Sequence, residues 1–167
     1  MKRTTKIALG LFGTWAVSDL EELWTMSRSS RRVLPRLPQA LPIPAALRRD
    51  GVSQRHVTAG IATMGAVIAL AAASGVRTEG RSPLFRGVLL GFGLHGFGHL
   101  GMTAAARGYV SGAVTAPTMV LPYWLWARRE LAREGIREID APAVAVAAAG
   151  IPLAMGVHAL MFKLFRD

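Results

Sequence analysis

The chain has 167 residues, of which 51% are hydrophobic, yet 20 Lys and Arg stand against 10 Asp and Glu for a net charge of +10. Mean hydropathy is +0.34, and the charged residues (18%) cluster between long uncharged stretches, which excludes intrinsic disorder and points to a bilayer rather than a water-soluble core. With no cysteine, disulfide frameworks, thiolate metal sites, iron–sulfur clusters and cysteine nucleophiles are all excluded.

The first apolar segment, Ile7–Trp24, begins well with IALGLFGTWAV behind a basic MKRTTK, but then meets Asp19, Glu21 and Glu22. Charges at bilayer depth cost at least about 2.5–3.5 kcal/mol each, so these acids need a polar cavity, a metal, a proton or the interface. The same stretch also reads as a secretory leader, with Ala16-Val17-Ser18 resembling a cleavage site. Residues 27–55 follow as a basic connection containing seven arginines and Pro35, Pro38, Pro42 and Pro44. It is too rich in proline for a regular helix, and its expected place is the interface, with its arginines on lipid phosphates. No stacking aromatics accompany these arginines, which argues against nucleic acid.

Val57–Val76 supplies 20 residues without a charge, and Gly87–Ala106 supplies 20 more whose only ionisable groups are His95 and His99. Each meets the length needed to cross the hydrocarbon layer. A fourth segment begins between Val110 and Pro117 and ends at Ala127, before Arg128-Arg129. Pro117 and Pro122 predict a kink there, and Trp124 and Trp126 suit an aromatic belt. Ala141–Phe162 is the last span, with 22 residues. Period-two alternation is absent, so the expected fold is an all-α polytopic transmembrane helical bundle of about five spans, or four if the first segment does not cross. The chain reads as a single membrane domain, with room for oligomerisation. Five spans place ten Lys and Arg on each face, and four spans place thirteen on the N-terminal face and seven on the other. The positive-inside rule therefore favours four, while hydropathy permits five.

His95 and His99 are four residues apart and share a helix face, the spacing of a two-ligand fragment for zinc or iron. They continue a stripe from Gly87 and Gly91, small residues that let another helix approach. Without a preceding strand, the glycine-rich GFGLHGFGHLG run is not a nucleotide fingerprint. Ser18, Glu21 and Glu22 also share a face, and two adjacent carboxylates suit a cation or acid–base work. In five spans, segments one, three and five run the same way. Glu21, Glu22, His95, His99 and His158 then fall in the half nearer one face and can gather in a single polar pocket. Neutral imidazoles bonded to the backbone and acids solvated at the surface are the bland alternatives. His56, placed before its span, has no expected role.

Ser18-Asp19-Leu20-Glu21-Glu22, His99, and then Tyr109-Val110-Ser111-Gly112 followed by Thr115 resemble the motifs of small bacterial integral membrane proteins named for an HXXEE motif. In that family a His-x-x-Glu-Glu ends the first apolar segment, and a later histidine-bearing helix is followed by Tyr-x-Pro-Gly and a Thr. Ser18 stands in place of the naming histidine and Ser111 in place of the proline. The resemblance implies a bacterial cytoplasmic membrane location and a membrane-embedded polar site that includes Ser18, Tyr109 and Thr115, but no substrate.

The leading expectation is a metal-dependent membrane enzyme, hydrolase or oxygenase, acting on a lipid-like or small apolar substrate. Glu21 and Glu22 serve as catalytic groups and, with His95, His99 and His158, as ligands of a divalent zinc or iron. A transporter or small-ligand carrier using the same groups and a structural or accessory membrane protein are the alternatives.

Overall fold

A computed structural model describes residues 1–40 and 43–165. Pro42 of the expected connection and Arg166 of the charge count lie outside the described residues. Among the described residues the chain forms six α-helices and no strand: α1 (Arg3–Val33), α2 (Ala45–Asp50), α3 (Gln54–Arg77), α4 (Pro83–Ala106), α5 (Leu121–Arg133) and α6 (Ala141–Leu164). Two of them, α3 and α6, are long and apolar enough to cross a membrane.

The helix boundaries follow local chemistry. Ser53 caps α3 by accepting from the His56 amide, Ser82 caps α4 by accepting from Phe85, and Asp140 caps α6 by accepting from Ala143, each satisfying a backbone donor that the helix leaves open. Pro83 and Pro142 occupy the first turns, where a missing N–H costs nothing.

Several expected boundaries move. The first segment does not end at Trp24: α1 continues to Val33 because no proline intervenes before Pro35, and it runs without a break through Ala16-Val17-Ser18. The connection is accordingly not irregular throughout. Residues 27–33 are helical, Leu34–Arg36 form a 3₁₀ turn, and Ala45–Asp50 form α2. The fourth segment opens as a π-helical turn, Ala116–Val120, containing Pro117, before α5 carries on past Ala127 to Arg133. A π-turn is one way for a helix to accommodate a residue that cannot complete the regular ladder.

The helices pack α1 on α3 and α4 on α6 most extensively. Ile7, Ala8 and Leu11 of α1 meet Ile68 and Ala71 of α3, Phe85 and Leu89 of α4, and Trp124 and Leu131 of α5 in one buried cluster. Of the two glycines expected to admit a neighbouring helix, Gly87 does so: a side chain there would meet Val146 and the Ala143 carbonyl of α6, whereas Gly91 faces open space. Outside the cluster the surface is strongly apolar. Trp24, Leu70, Ile151, Met155 and Leu164 are each at least 62% exposed, an extent of exposed hydrocarbon that water does not favour.

The α4–α6 pair is tied at one end by Arg86, whose Nη1 donates to Asp140 Oδ2 and to the Arg137 carbonyl, each at 2.6 Å. The Ala143 amide and the Arg86 guanidinium together hold the Asp140 carboxyl below its ordinary value. A carboxyl depressed in the folded state adds stability above its unfolded value, about pH 4, and loses it as pH falls through the folded value. The melting-temperature gap between the native protein and Asp140→Asn should therefore be open at pH 6 and close on acidification below about pH 4; a gap unchanged across that range would show that the ionised carboxyl adds nothing.

Candidate metal centre

Glu22 lies on the buried face of α1, and His95 and His99 lie one turn apart on α4. Three ligand atoms converge: His99 Nε2 is 2.9 Å from Glu22 Oε1, His95 Nε2 is 3.7 Å from the same oxygen, and the two Nε2 atoms are 2.8 Å apart. The corners of that triangle lie about 1.9 Å from their common centre. A point just off its plane is therefore at the roughly 2.0–2.2 Å that zinc takes to imidazole nitrogen and carboxylate oxygen. Glu22, His95 and His99 form a group that could hold a metal ion. The Glu22 and His99 side chains are 7% and 11% exposed, while His95 is 61% exposed, so the group is walled on one side and open on the other.

The same triangle can be held by shared protons or by a cation. Nδ1 is the His99 ring atom that faces the turn at Gly112. With its proton on Nδ1, neutral His99 presents an Nε2 lone pair to the Glu22 carboxylate, which is repulsive. Doubly protonated, it has one Nε2–H to aim at Glu22 or at His95, not squarely at both. A cation among the three atoms satisfies all of them.

Glu21, the adjacent residue, is committed elsewhere. Oε1 accepts from the Tyr109 hydroxyl (2.6 Å) and the Val114 amide (3.3 Å), and Oε2 accepts from the Thr115 amide (2.8 Å) and hydroxyl (2.6 Å). Burial and the bond to Glu21 push the Tyr109 phenol up, so it remains a donor. Ser18 Oγ lies 3.2 Å from Thr115 Oγ1, Thr25 Oγ1 lies 2.8 Å from Ser111 Oγ, and the Ser111 amide donates to Ser29 Oγ. Ser18, Glu21, Thr25 and Ser29 are thus one polar stripe along α1 that clamps the 109–115 loop, and the loop in turn backs His99.

The structure therefore brings together Glu22, His95 and His99 of the expected five-residue set and places Glu21 and His158 outside the triangle. His158 Nδ1 lies 2.9 Å from His56 Nε2, with the rings stacked. His56, given no role above, is 2% exposed: the helix starts at Gln54 rather than Val57, which turns this ring inward. Asp19, named above among the acids that need a partner, was not in the expected site. It is bonded to Trp15 and lies within electrostatic reach of Glu22 and His99, as its i, i+3 relation to Glu22 could have suggested. Thr25 and Ser29 were legible as a continuation of the Ser18–Glu21 spacing.

The sequence model of a family described as "Protein of unknown function with HXXEE motif" matches residues 9–127. No curated protein and no solved structure matches this chain.

Proposed function

Because the chain belongs to the family of unknown function with an HXXEE motif, and because Glu22, His95 and His99 converge, we propose that it is a small multi-pass membrane protein that binds a divalent metal on these three residues. In this reading it acts as a metal-dependent enzyme on a lipid-like or small apolar substrate in the bacterial cytoplasmic membrane. The observation that carries the proposal is the convergence of His95 Nε2, His99 Nε2 and Glu22 Oε1, all within 4.8 Å of one another. Zinc or iron fits this donor set of two imidazoles and a carboxylate, and such an ion supplies Lewis acidity or a water of lowered pKa.

The chain's own residues divide the work. Glu22 and His99 form the buried wall and His95 the open edge by which a substrate reaches the centre. Glu21 holds the loop that orients His99, and Ser18 occupies the position of the family's naming histidine. The five-span arrangement is supported by the lengths of α1 and α4 and by the exposed apolar side chains on α1, α3 and α6. A proton-coupled carrier is the second reading, favoured by the His56–His158 pair near Glu22.

Metal analysis of the detergent-purified protein tests the proposal. The native chain should hold about one zinc or iron per chain, and His95→Ala and His99→Ala should each lower this by about tenfold or more. Equal, sub-stoichiometric metal in all three overturns the metal reading and leaves the carrier, to be tested by proton flux in liposomes.

A further inference from the structure

A second polar cavity, of about 290 Å³, lies at the end of the bundle where α1 and α6 finish and α3 begins; Arg31, Arg49, Asp50, His56, Phe162 and Phe165 are among the residues lining it. It is distinct from the triangle. Arg31 lies nine residues beyond Glu22 on the same helix, about 13 Å farther along its axis. Arg31 makes no hydrogen bond or ion pair among the described residues. Among the described residues Arg49 pairs with its neighbour Asp50, at 3.1 Å, and both side chains are well exposed (72% and 63%), so the pairing holds it weakly. Arg31 and Arg49 thus line a small cavity that the buried His56 also lines.

The backbone is shaped to hold this cavity. Gly51 has φ +70°, and a side chain there would meet Arg31 Cγ at 2.6 Å and Ser30 Oγ at 2.7 Å. The Val52 amide donates to Ser30 Oγ at 3.0 Å. The loop before α3 is thereby pressed onto α1 beside Arg31. The other wall is Phe162 and Phe165, and it runs into the exposed apolar side of α6, with Leu160, Leu164, Met155 and Ile151. A cationic hollow that opens onto a lipid-facing apolar helix matches one chemical shape, an anionic amphiphile. The volume suits a headgroup rather than a whole molecule, and guanidinium is the group that recognises phosphate. Another arginine-lined hollow, formed by α5 and the loop that follows it, is less suited: its Arg128 is already paired with Glu138 and stacked on Trp124.

We infer that the Arg31–Arg49 cavity binds the phosphate headgroup of an anionic lipid, with the lipid's chains lying along α6. The inference rests on the membrane reading but not on the metal, so it is tested in chelator-treated protein. The full chain is placed in phosphatidylcholine vesicles carrying a trace of spin-labelled phosphatidylglycerol or spin-labelled phosphatidylcholine, and the immobilised fraction of each is measured. The native protein should favour the anionic lipid by about tenfold, given two basic groups at headgroup level. Arg31→Gln/Arg49→Gln should abolish that preference, whereas Arg129→Gln in the other hollow should leave it intact. Both arginines of the test pair are exposed, and an unchanged helical circular dichroism spectrum shows the fold retained. Preference surviving the double substitution, or lost equally with Arg129→Gln, overturns the site. Displacement of the label by equimolar inorganic phosphate overturns the lipid assignment in favour of free phosphate. Metal-free protein that retains the preference supports this inference even where metal analysis rejects the centre.

Discussion

On the metal reading, Glu22→Gln should release the ion while Glu21→Gln, which loosens the loop backing His99, should weaken binding by no more than about 10–100-fold, although the two residues are neighbours with the same side chain. Glu22 offers its carboxylate to the triangle with His95 and His99. Replacing an anionic ligand by a neutral amide removes both charge and a donor. Loss of merely supporting partners typically weakens a metal site by about 10–100-fold, so the loss of this ligand should exceed about 100-fold. Glu21 spends both oxygens on four donors from Tyr109, Val114 and Thr115. A glutamine there must turn an NH₂ toward at least one donor. Hydrogen bonds to a charged group are worth about 1.5–3 kcal/mol each, so Glu21→Gln should lose about 2–4 kcal/mol of stability. Metal content and thermal unfolding of both variants check this. Loss beyond about 100-fold in both would place Glu21 among the ligands, and equal metal retention would remove Glu22 from them.

Gly112→Ala should uncouple the same centre from the opposite side. Gly112 has φ +82°, and an added methyl would meet His99 Nδ1 at 2.5 Å. The left-handed backbone costs a non-glycine residue about 1–3 kcal/mol, and the collision moves the ring that presents Nε2 to Glu22. The variant should be less stable by about that amount and bind metal at least about tenfold more weakly, since the backing of a ligating histidine is disturbed. Gly101→Ala on α4, where a methyl meets nothing, is the control and should behave as the native chain. Normal metal affinity in Gly112→Ala, with only stability lowered, would mean that His99 is not a ligand.

Much of the site was written in local spacing. His95 and His99 at i, i+4 must share a face of any helix that contains them, and Glu22 stands one turn from Ser18. Those relations follow from 3.6 residues per turn and need no tertiary information. The motif run from Ser18 to Thr115 also carried the family resemblance, which the match over residues 9–127 establishes. What spacing leaves open is the partner across the gap. Glu21 and Glu22 differ by about 100° around α1, so only the position of the 109–115 loop decides which carboxylate is consumed by amides and hydroxyls and which is left for the histidines. His158 was expected in the shell on depth alone; depth fixes a level, not a direction, and the ring turns to His56.

The sequence by itself determined an all-helical chain, the approximate helices, the histidine face, and the placement of most basic residues outside the longest apolar stretches, because hydrophobic period and charge act along a single segment. Helix ends were less legible: α1 outlasts its apolar stretch because serines and arginines do not break a helix, and proline does. Only the tertiary structure turned Glu22 rather than Glu21 to the histidines, joined His56 to His158 across 102 positions, and brought Arg31 and Arg49 to one cavity. Each of those pairings is a contact between separate helices, fixed by which faces the packed core turns inward rather than by any short-range rule.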